Sequence, residues 1–279
     1  MTIIARHQNN ELKQLFHIKS EKTENVLQVL SLRLGENHAS FAITDKTGNE
    51  LYELAYGSMG GDKDELAYFF NKYPSLQNSF YRVLIAYDHP QSILTPSAIY
   101  QPETAGLFLN ASYGIMTGSD LISELISEWQ LYNTYTVPLE QLKWIRQKFP
   151  AARSWHQYSL TIKKLNAAGN AGQLLVDFRT DDFTLLVAKD SKLVLAQCFS
   201  YTTPGDVLYY LLKTCRQFSL SQKDVDLQLT GLIDKNSALY NELYLYFMNV
   251  QFRRAGWDTG ADYPVHFFTS LNDLAQCAS

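Results

Sequence analysis

Cysteine is scarce in this chain, three in 279 residues, at Cys198, Cys215 and Cys277. An odd number without metal-ligand spacing argues against a disulfide framework or a cysteine metal site and suits reduced thiols. A basic excess is missing too. The 24 Lys and Arg against 28 Asp and Glu leave a net charge of −4, the wrong sign for a sequence-blind nucleic-acid binder, so no nucleic-acid partner is expected. No stretch approaches the ~18 uninterrupted apolar residues of a membrane span. The N-terminus, with Arg6, His7, Glu11, Lys13, Lys19, Glu21 and Lys22, lacks the apolar run of a signal peptide. A cytoplasmic protein is the expectation. Also absent are a Gly-x-Ser-x-Gly elbow, a Cys–His signature and histidines at metal-ligand spacing.

What is present supports a sizeable core. The chain is 46% hydrophobic and 13% aromatic, enough to fold without staples, and its length fits one large or two moderate domains. A strand–turn–strand pattern occurs twice. The first copy runs Leu30-Ser31-Leu32-Arg33-Leu34-Gly35, then Ser40–Ile43, a Lys46–Asn49 turn, and Leu51–Leu54. The second runs Leu174-Leu175-Val176-Asp177-Phe178-Arg179, then Thr184–Val187, an Asp190–Lys192 turn, and Leu193–Ala196. Superposed, Arg33 falls on Asp177 and Gly35 on Arg179, so each copy keeps one half of an Asp-x-Gly signature.

Around these hairpins the pattern predicts an arm over residues 1–25 with an edge strand at Leu15–Ile18. Strands are expected at Val26–Leu34, Ser40–Asp45, Glu50–Tyr56, Arg82–Tyr87 and Gln130–Val137. Helices are expected at Asp62–Tyr73, Pro102–Ser112, Leu139–Phe149, Tyr158–Leu165, Val207–Phe218 and Ser237–Met248. Pro150-Ala151-Ala152-Arg153 marks passage to the second half, and the 166–172 segment reads as a small-residue turn. Strands alternating with helices, with a hairpin leading each half, fit duplicated α/β units. Ser237–Met248 is apolar almost all round, so burial is its default and a partner-binding face the alternative.

A hydrophobic strand ending in Asp-x-Gly, a tight turn and a second strand, present in both halves, resembles the actin/Hsp70/sugar-kinase ATPase superfamily. The Val225–Gly231 segment followed by the Ser237–Met248 helix resembles its adenosine-covering signature, with one glycine instead of two. More closely, the chain resembles an uncharacterised bacterial family of unknown function with an actin-like ATPase fold, supported by Val83–Pro90, Leu94-Thr95-Pro96, Tyr135–Pro138 and Leu271–Ser279. The resemblance implies an α/β fold of two duplicated actin-like (ribonuclease H-like) subdomains, with mixed sheets and flanking helices around a cleft. The expected division is residues 1–25 as arm, 26–150 as first subdomain and 151–279 as second. It also places Arg33, Gly35, Asp177, Arg179, Thr180 and Gly231 at the nucleotide site.

In that superfamily the hairpin aspartates position Mg²⁺ and the attacking water. Asp177 ends an apolar strand, where a carboxylate suits hard-cation binding through water, or caps the Thr180-Asp181-Asp182 turn. Arg33 stands where a metal-positioning carboxylate belongs. Three roles are open to it: a bidentate phosphate contact, an ion pair with Asp177 that fills the cleft, or an outward position on the sheet. Arg179 replaces a glycine that would let backbone approach an anion. Gly57–Asp64 departs from a P-loop at Asp62 and Asp64 and reads as a flexible turn. Asp88-His89-Pro90 reads as a turn, an Asp–His acid–base pair being the sharper alternative. Gln251-Phe252-Arg253-Arg254 reads as a solvated strand or loop.

The favoured reading is a non-catalytic binding or scaffolding protein with a protein partner or as a homodimer, no cofactor being expected. The competing reading is a Mg²⁺-dependent ATPase or kinase with ATP and Mg²⁺, in which Asp177 is the catalytic carboxylate. Whether the chain is an enzyme is left open by these motifs.

Overall fold

Strands buried on both faces read as near-continuous apolar runs, and two of them organise this molecule. The structure is a computed structural model and describes residues 12–20, 27–60, 65–165, 171–260 and 263–278. The first half contains β1 (Lys13–Lys19), β2 (Val29–Gly35), β3 (His38–Thr44), β4 (Leu51–Ser58), α1 (Glu65–Lys72) and β5 (Arg82–Asp88). It continues through β6 (Ser92–Pro96), α2 (Pro102–Tyr113), β7 (Ser119–Ile126), β8 (Leu131–Pro138), α3 (Leu139–Lys148), β9 (Arg153–His156) and α4 (Gln157–Ile162). The second half contains β10 (Gln173–Phe178), β11 (Asp182–Lys189), β12 (Lys192–Ser200), α5 (Pro204–Gln217), β13 (Asp226–Gly231), α6 (Ala238–Tyr246), β14 (Asn249–Phe252) and α7 (Thr269–Ala275).

The two large sheets repeat one topology. The first has the order β1-β4-β3-β2-β5-β9 and the second β12-β11-β10-β13-β14. Hairpin neighbours are antiparallel, whereas β2, β5 and β9 are parallel, as are β10, β13 and β14. The register is equivalent as well: Arg33 sits between Ser40 and Ala86, and Asp177 between Thr184 and Thr230. The duplication expected from the hairpins is therefore a property of whole sheets.

Every residue of β2 and β10 is buried. Leu30, Leu32, Leu34 and Phe41 pack with Phe69, Phe70 and Tyr73 at α1. On the opposite side, Val29, Leu84 and Ala86 meet Leu160 of α4 and Leu274 of α7, and Ala42 and Leu54 meet Leu271 and Ala275. The second core joins Leu174, Val176 and Phe178 to Val207 and Leu211 of α5 and Leu243 of α6. No residue of α4 or α7 is exposed. α5 begins with a reciprocal cap: the Thr203 hydroxyl accepts from Asp206 N, and the Asp206 carboxylate accepts from Thr203 N, with Pro204 in the first turn.

Helices and strands of the repeat fall within a few residues of their expected bounds, and β1 contains the Leu15–Ile18 edge strand. Residues 61–64 of the glycine-rich turn and 166–170 of the small-residue turn lie outside the described residues. The first sheet extends past the expected boundary at residue 150, because β9 pairs with β5. Three elements add a small sheet, β6-β8-β7, of which only β8 is anticipated by sequence pattern; β6 is too short for a periodic signal. The Ser237–Met248 helix is corrected in one respect. It buries Leu239 and Leu243 but leaves Tyr244, Leu245 and Tyr246 exposed, followed by exposed Met248. Its apolar composition reflects a surface that nothing else among the described residues covers. Gln251–Arg254 is partly strand, with Gln251 and Arg254 exposed, while the partly exposed Arg253 pairs its guanidinium with Asp273 of α7 at 2.5 and 2.6 Å.

Candidate functional site

The C-terminal ends of β2, β5 and β10 converge, and each delivers a charged side chain into the space between the halves. Parallel neighbours in register make this unavoidable: Gly35 lies beside Asp88, and Asp177 beside Thr230. The Arg33 guanidinium reaches across the halves and donates from Nη2 to Asp177 Oδ2 at 2.5 Å. It also donates from Nε to Asp88 Oδ2 at 2.9 Å, with Nη2 2.7 Å from the same oxygen. Arg179 comes from the other side, with Nη1 3.3 Å from that Asp88 oxygen. Its Nε pairs with Asp182, and Nη1 and Nη2 both donate to Thr184 Oγ1 at 3.1 Å. Asp88 thus bridges two arginines from different halves.

The remaining acceptor capacity of Asp177 is filled by hydroxyls. Thr230 Oγ1 donates to Oδ1 at 2.9 Å, and Ser270 Oγ of α7 donates to Oδ2 at 3.1 Å. His38 Nε2 lies 3.1 Å from Asp88 Oδ2. Arg33, His38, Asp88, Asp177 and Arg179 are all buried, none more than 6% exposed. Burial would push Asp88 up, but Arg179, Arg33 and His38 together hold it well below the usual carboxylate range. Burial would likewise lower Arg33, and Asp177 and Asp88 more than offset it, keeping the guanidinium charged. Burial lowers His38, so its imidazole is neutral at pH 7. Burial also raises the Cys198 thiol to about 12, although Arg179 Nη2 lies 3.1 Å from its sulfur.

Two glycines make the close packing feasible. A Cβ on Gly35 would lie 2.2 Å from the His38 ring, so glycine there lets His38 fold onto Asp88. Gly231 has φ +76°, and a Cβ on it would stand 2.1 Å from Phe178 O and 2.8 Å from Asp177 Oδ1. Thr180 is exposed at the β10–β11 turn and takes no part in the cluster. Of the six positions assigned to a nucleotide site, Arg33, Asp177 and Arg179 converge, Gly35 and Gly231 flank them, and Thr180 stands apart. The outward-pointing role for Arg33 is excluded by its burial.

Asp88 is the central residue that sequence reasoning placed in a turn. Its signal was an apolar strand ending in a carboxylate, the same local pattern that marked Asp177. The neighbouring His89 is buried and uses Nε2 on Gln141 Oε1 at 2.8 Å, so no Asp88–His89 acid–base pair forms. Thr184, Thr230 and Ser270 carried no signal beyond being hydroxyl residues.

The cluster as arranged does not fit a Mg²⁺–nucleotide. The guanidinium donors that a phosphate would use are committed to carboxylates and hydroxyls, and both Asp177 oxygens are engaged. The cavity bordered by His38, Asp88, Arg179, Thr184 and Cys198 is about 20 Å³, room for roughly one water. Among the described residues no three His, Cys, Asp or Glu side chains converge as a metal site. No described helix is long and apolar enough to cross a membrane.

Two mixed sheets of matching order, meeting at the ends of their parallel strands, define an actin-like ATPase fold. A crystal structure from Bacteroides thetaiotaomicron, a protein with that fold and unknown function, superposes with a TM-score of 0.73 at 20% identity, covering 83% of this chain and 94% of that one. The PilM–PilN type IV pilus biogenesis complex superposes with a TM-score of 0.60 at 12% identity, covering 90% of this chain and 98% of that one. Residues 18–250 match the family described as "Protein of unknown function (DUF3822)", and the chain belongs to that family. No curated protein matches the chain.

Proposed function

We propose that this chain is a non-catalytic binding or scaffolding protein whose actin-like nucleotide site is degenerate. The observation that carries the reading is the buried Arg33–Asp177 and Arg33–Asp88–Arg179 cluster. Phosphoryl transfer on this fold needs a metal-positioning carboxylate and anion-approachable backbone at the hairpins. Here a guanidinium occupies the first position and neutralises the second carboxylate, while Arg179 crowds the turn. The ion pairs link side chains of the two halves directly. Support for a protein partner comes from the exposed Tyr244, Leu245, Tyr246 and Met248, since contiguous exposed apolar groups mark interaction surfaces. The structurally similar PilM–PilN complex is itself an assembly with a partner.

The test is to incubate the purified protein with ATP and Mg²⁺, following phosphate release and the thermal midpoint. The expected result is no turnover and no rise in midpoint, because a ligand that binds the native state must raise it. ATP turnover that Asp177→Ala abolishes would overturn the proposal in favour of a working ATPase.

A further inference from the structure

Sheet edges present unpaired backbone groups, and proteins blunt them with short strands, charged side chains (lysine above all), proline or bulges. Most edges here are blunted. β1 carries Lys13, Lys19 and an irregularity between Gln14 and Phe16. β9 and β14 have four residues each. β6 ends in Pro96, and its Ser92 carbonyl accepts from the Tyr113 hydroxyl at 3.2 Å. β12 opens with Lys192 and puts no large apolar side chain in solvent.

β7 is blunted least, its only charges being Asp120 and Glu124. It runs for eight residues without proline or lysine, and β8 pairs along one side. Among the described residues no strand pairs along the other. Leu121 is 41% and Leu125 50% exposed, and Ile115, on the approach to the strand, is 81% exposed. Leu121, Ser123 and Leu125 share one face. Glu124 points to the other face, where Oε1 accepts from His156 N at 2.9 Å and Oε2 from the Tyr135 hydroxyl at 3.5 Å. The open edge therefore offers backbone groups beside an apolar face, with Leu121 N already donating to Asp120 Oδ1 at 3.1 Å.

We propose that β7 is the seam of a two-fold homodimer, pairing antiparallel with β7 of a second copy and joining the two small sheets into one. The strand is complementary to itself in a particular register. A two-fold axis normal to the sheet through Ser123 sets Leu121 opposite Leu125 of the second copy, twice, and Ser123 opposite itself. Asp120 then faces Ile126, and Glu124 faces Ile122, so no carboxylates oppose. Centring the pair on Ile122 would oppose Asp120 and Glu124, and centring it on Glu124 would oppose two glutamates. Like charges directly across strands are disfavoured, which excludes the Ile122- and Glu124-centred registers, and of those left the Ser123-centred one pairs the most residues of β7. An isologous interface needs this self-complementarity, since one patch must recognise its own copy.

The seam is independent of the cleft, and its test uses the full chain. Sedimentation of the wild type across the micromolar range is expected to show a dimer. Leu121→Lys with Leu125→Lys places lysines opposite lysines and should yield a folded monomer with an unchanged far-ultraviolet circular dichroism spectrum, its melting midpoint falling only by what dimerisation contributes. Leu121→Lys with Leu125→Glu pairs opposite charges in the proposed register and should restore the dimer. A monomeric wild type, whether β7 is free or covered by another protein, overturns the proposal. So does a dimer that the double-lysine variant leaves intact, or a lysine–glutamate variant that stays monomeric.

Discussion

Replacing Arg33 with aspartate tests the cluster most directly. The substitution removes the guanidinium that contacts Asp177 at 2.5 Å and Asp88 at 2.7 and 2.9 Å, and it puts a third carboxylate beside them. Asp177 keeps its Thr230 and Ser270 hydroxyl donors, and Asp88 keeps Arg179. Breaking a buried ion pair by removing one partner costs about 3–5 kcal/mol, because a charge is left uncompensated out of water. At roughly 2–4 °C per kcal/mol for chains of this size, the melting midpoint should fall by about 6–20 °C in EDTA. Adding millimolar Mg²⁺ should recover part of the loss, since clustered carboxylates are hard-oxygen ligands and native-state binding stabilises by mass action. Arg33→Met loses the same pairs without adding an oxygen ligand, so its midpoint should fall and stay low with Mg²⁺. Differential scanning calorimetry of both variants with and without Mg²⁺ is the assay. An Arg33→Asp midpoint equal to wild type in both conditions would refute the reasoning, for it would mean that Arg33 bridges nothing.

Two further outcomes follow from buried groups. His156 is buried, and burial lowers its imidazole to about 4 from 6.5, so the unfolded chain binds the extra proton first as pH falls. Stability should be fully present above pH ~6.5 and decline toward pH ~4, about 3 kcal/mol from this residue alone. His156→Asn, which retains an N-cap acceptor for Tyr158 N, should flatten that slope in urea titrations run at several pH values. Gly231→Ala forces a left-handed backbone on alanine and a Cβ against Phe178 O, so the urea midpoint should drop by the equivalent of at least about 1–3 kcal/mol. An unchanged midpoint would mean that the β13 turn relaxes freely.

Pattern in the chain was enough to reveal the duplication, because β2 and β10 are buried on both faces and their apolar runs need no partner to be recognised. Arg33 on Asp177 was legible for the same reason: equivalent strands put equivalent positions at one level, and an ion pair was among the open roles. The exposed tyrosines of α6 show the limit of that logic, since an apolar helix looks alike whether its own fold or another protein covers it. α7 left no helical signature, as seven residues buried all round carry no amphipathic period. Asp88 was hidden by a sufficient local explanation, the turn at Pro90, while its partners lie 55 and 91 residues away. The strands and their repeat are thus determined by short-range apolar order, which the chain carries in itself. The buried ion-pair cluster was decided only by tertiary structure, because buried charges are settled by whichever opposite charge the folded backbone brings within reach, and sequence distance does not encode that.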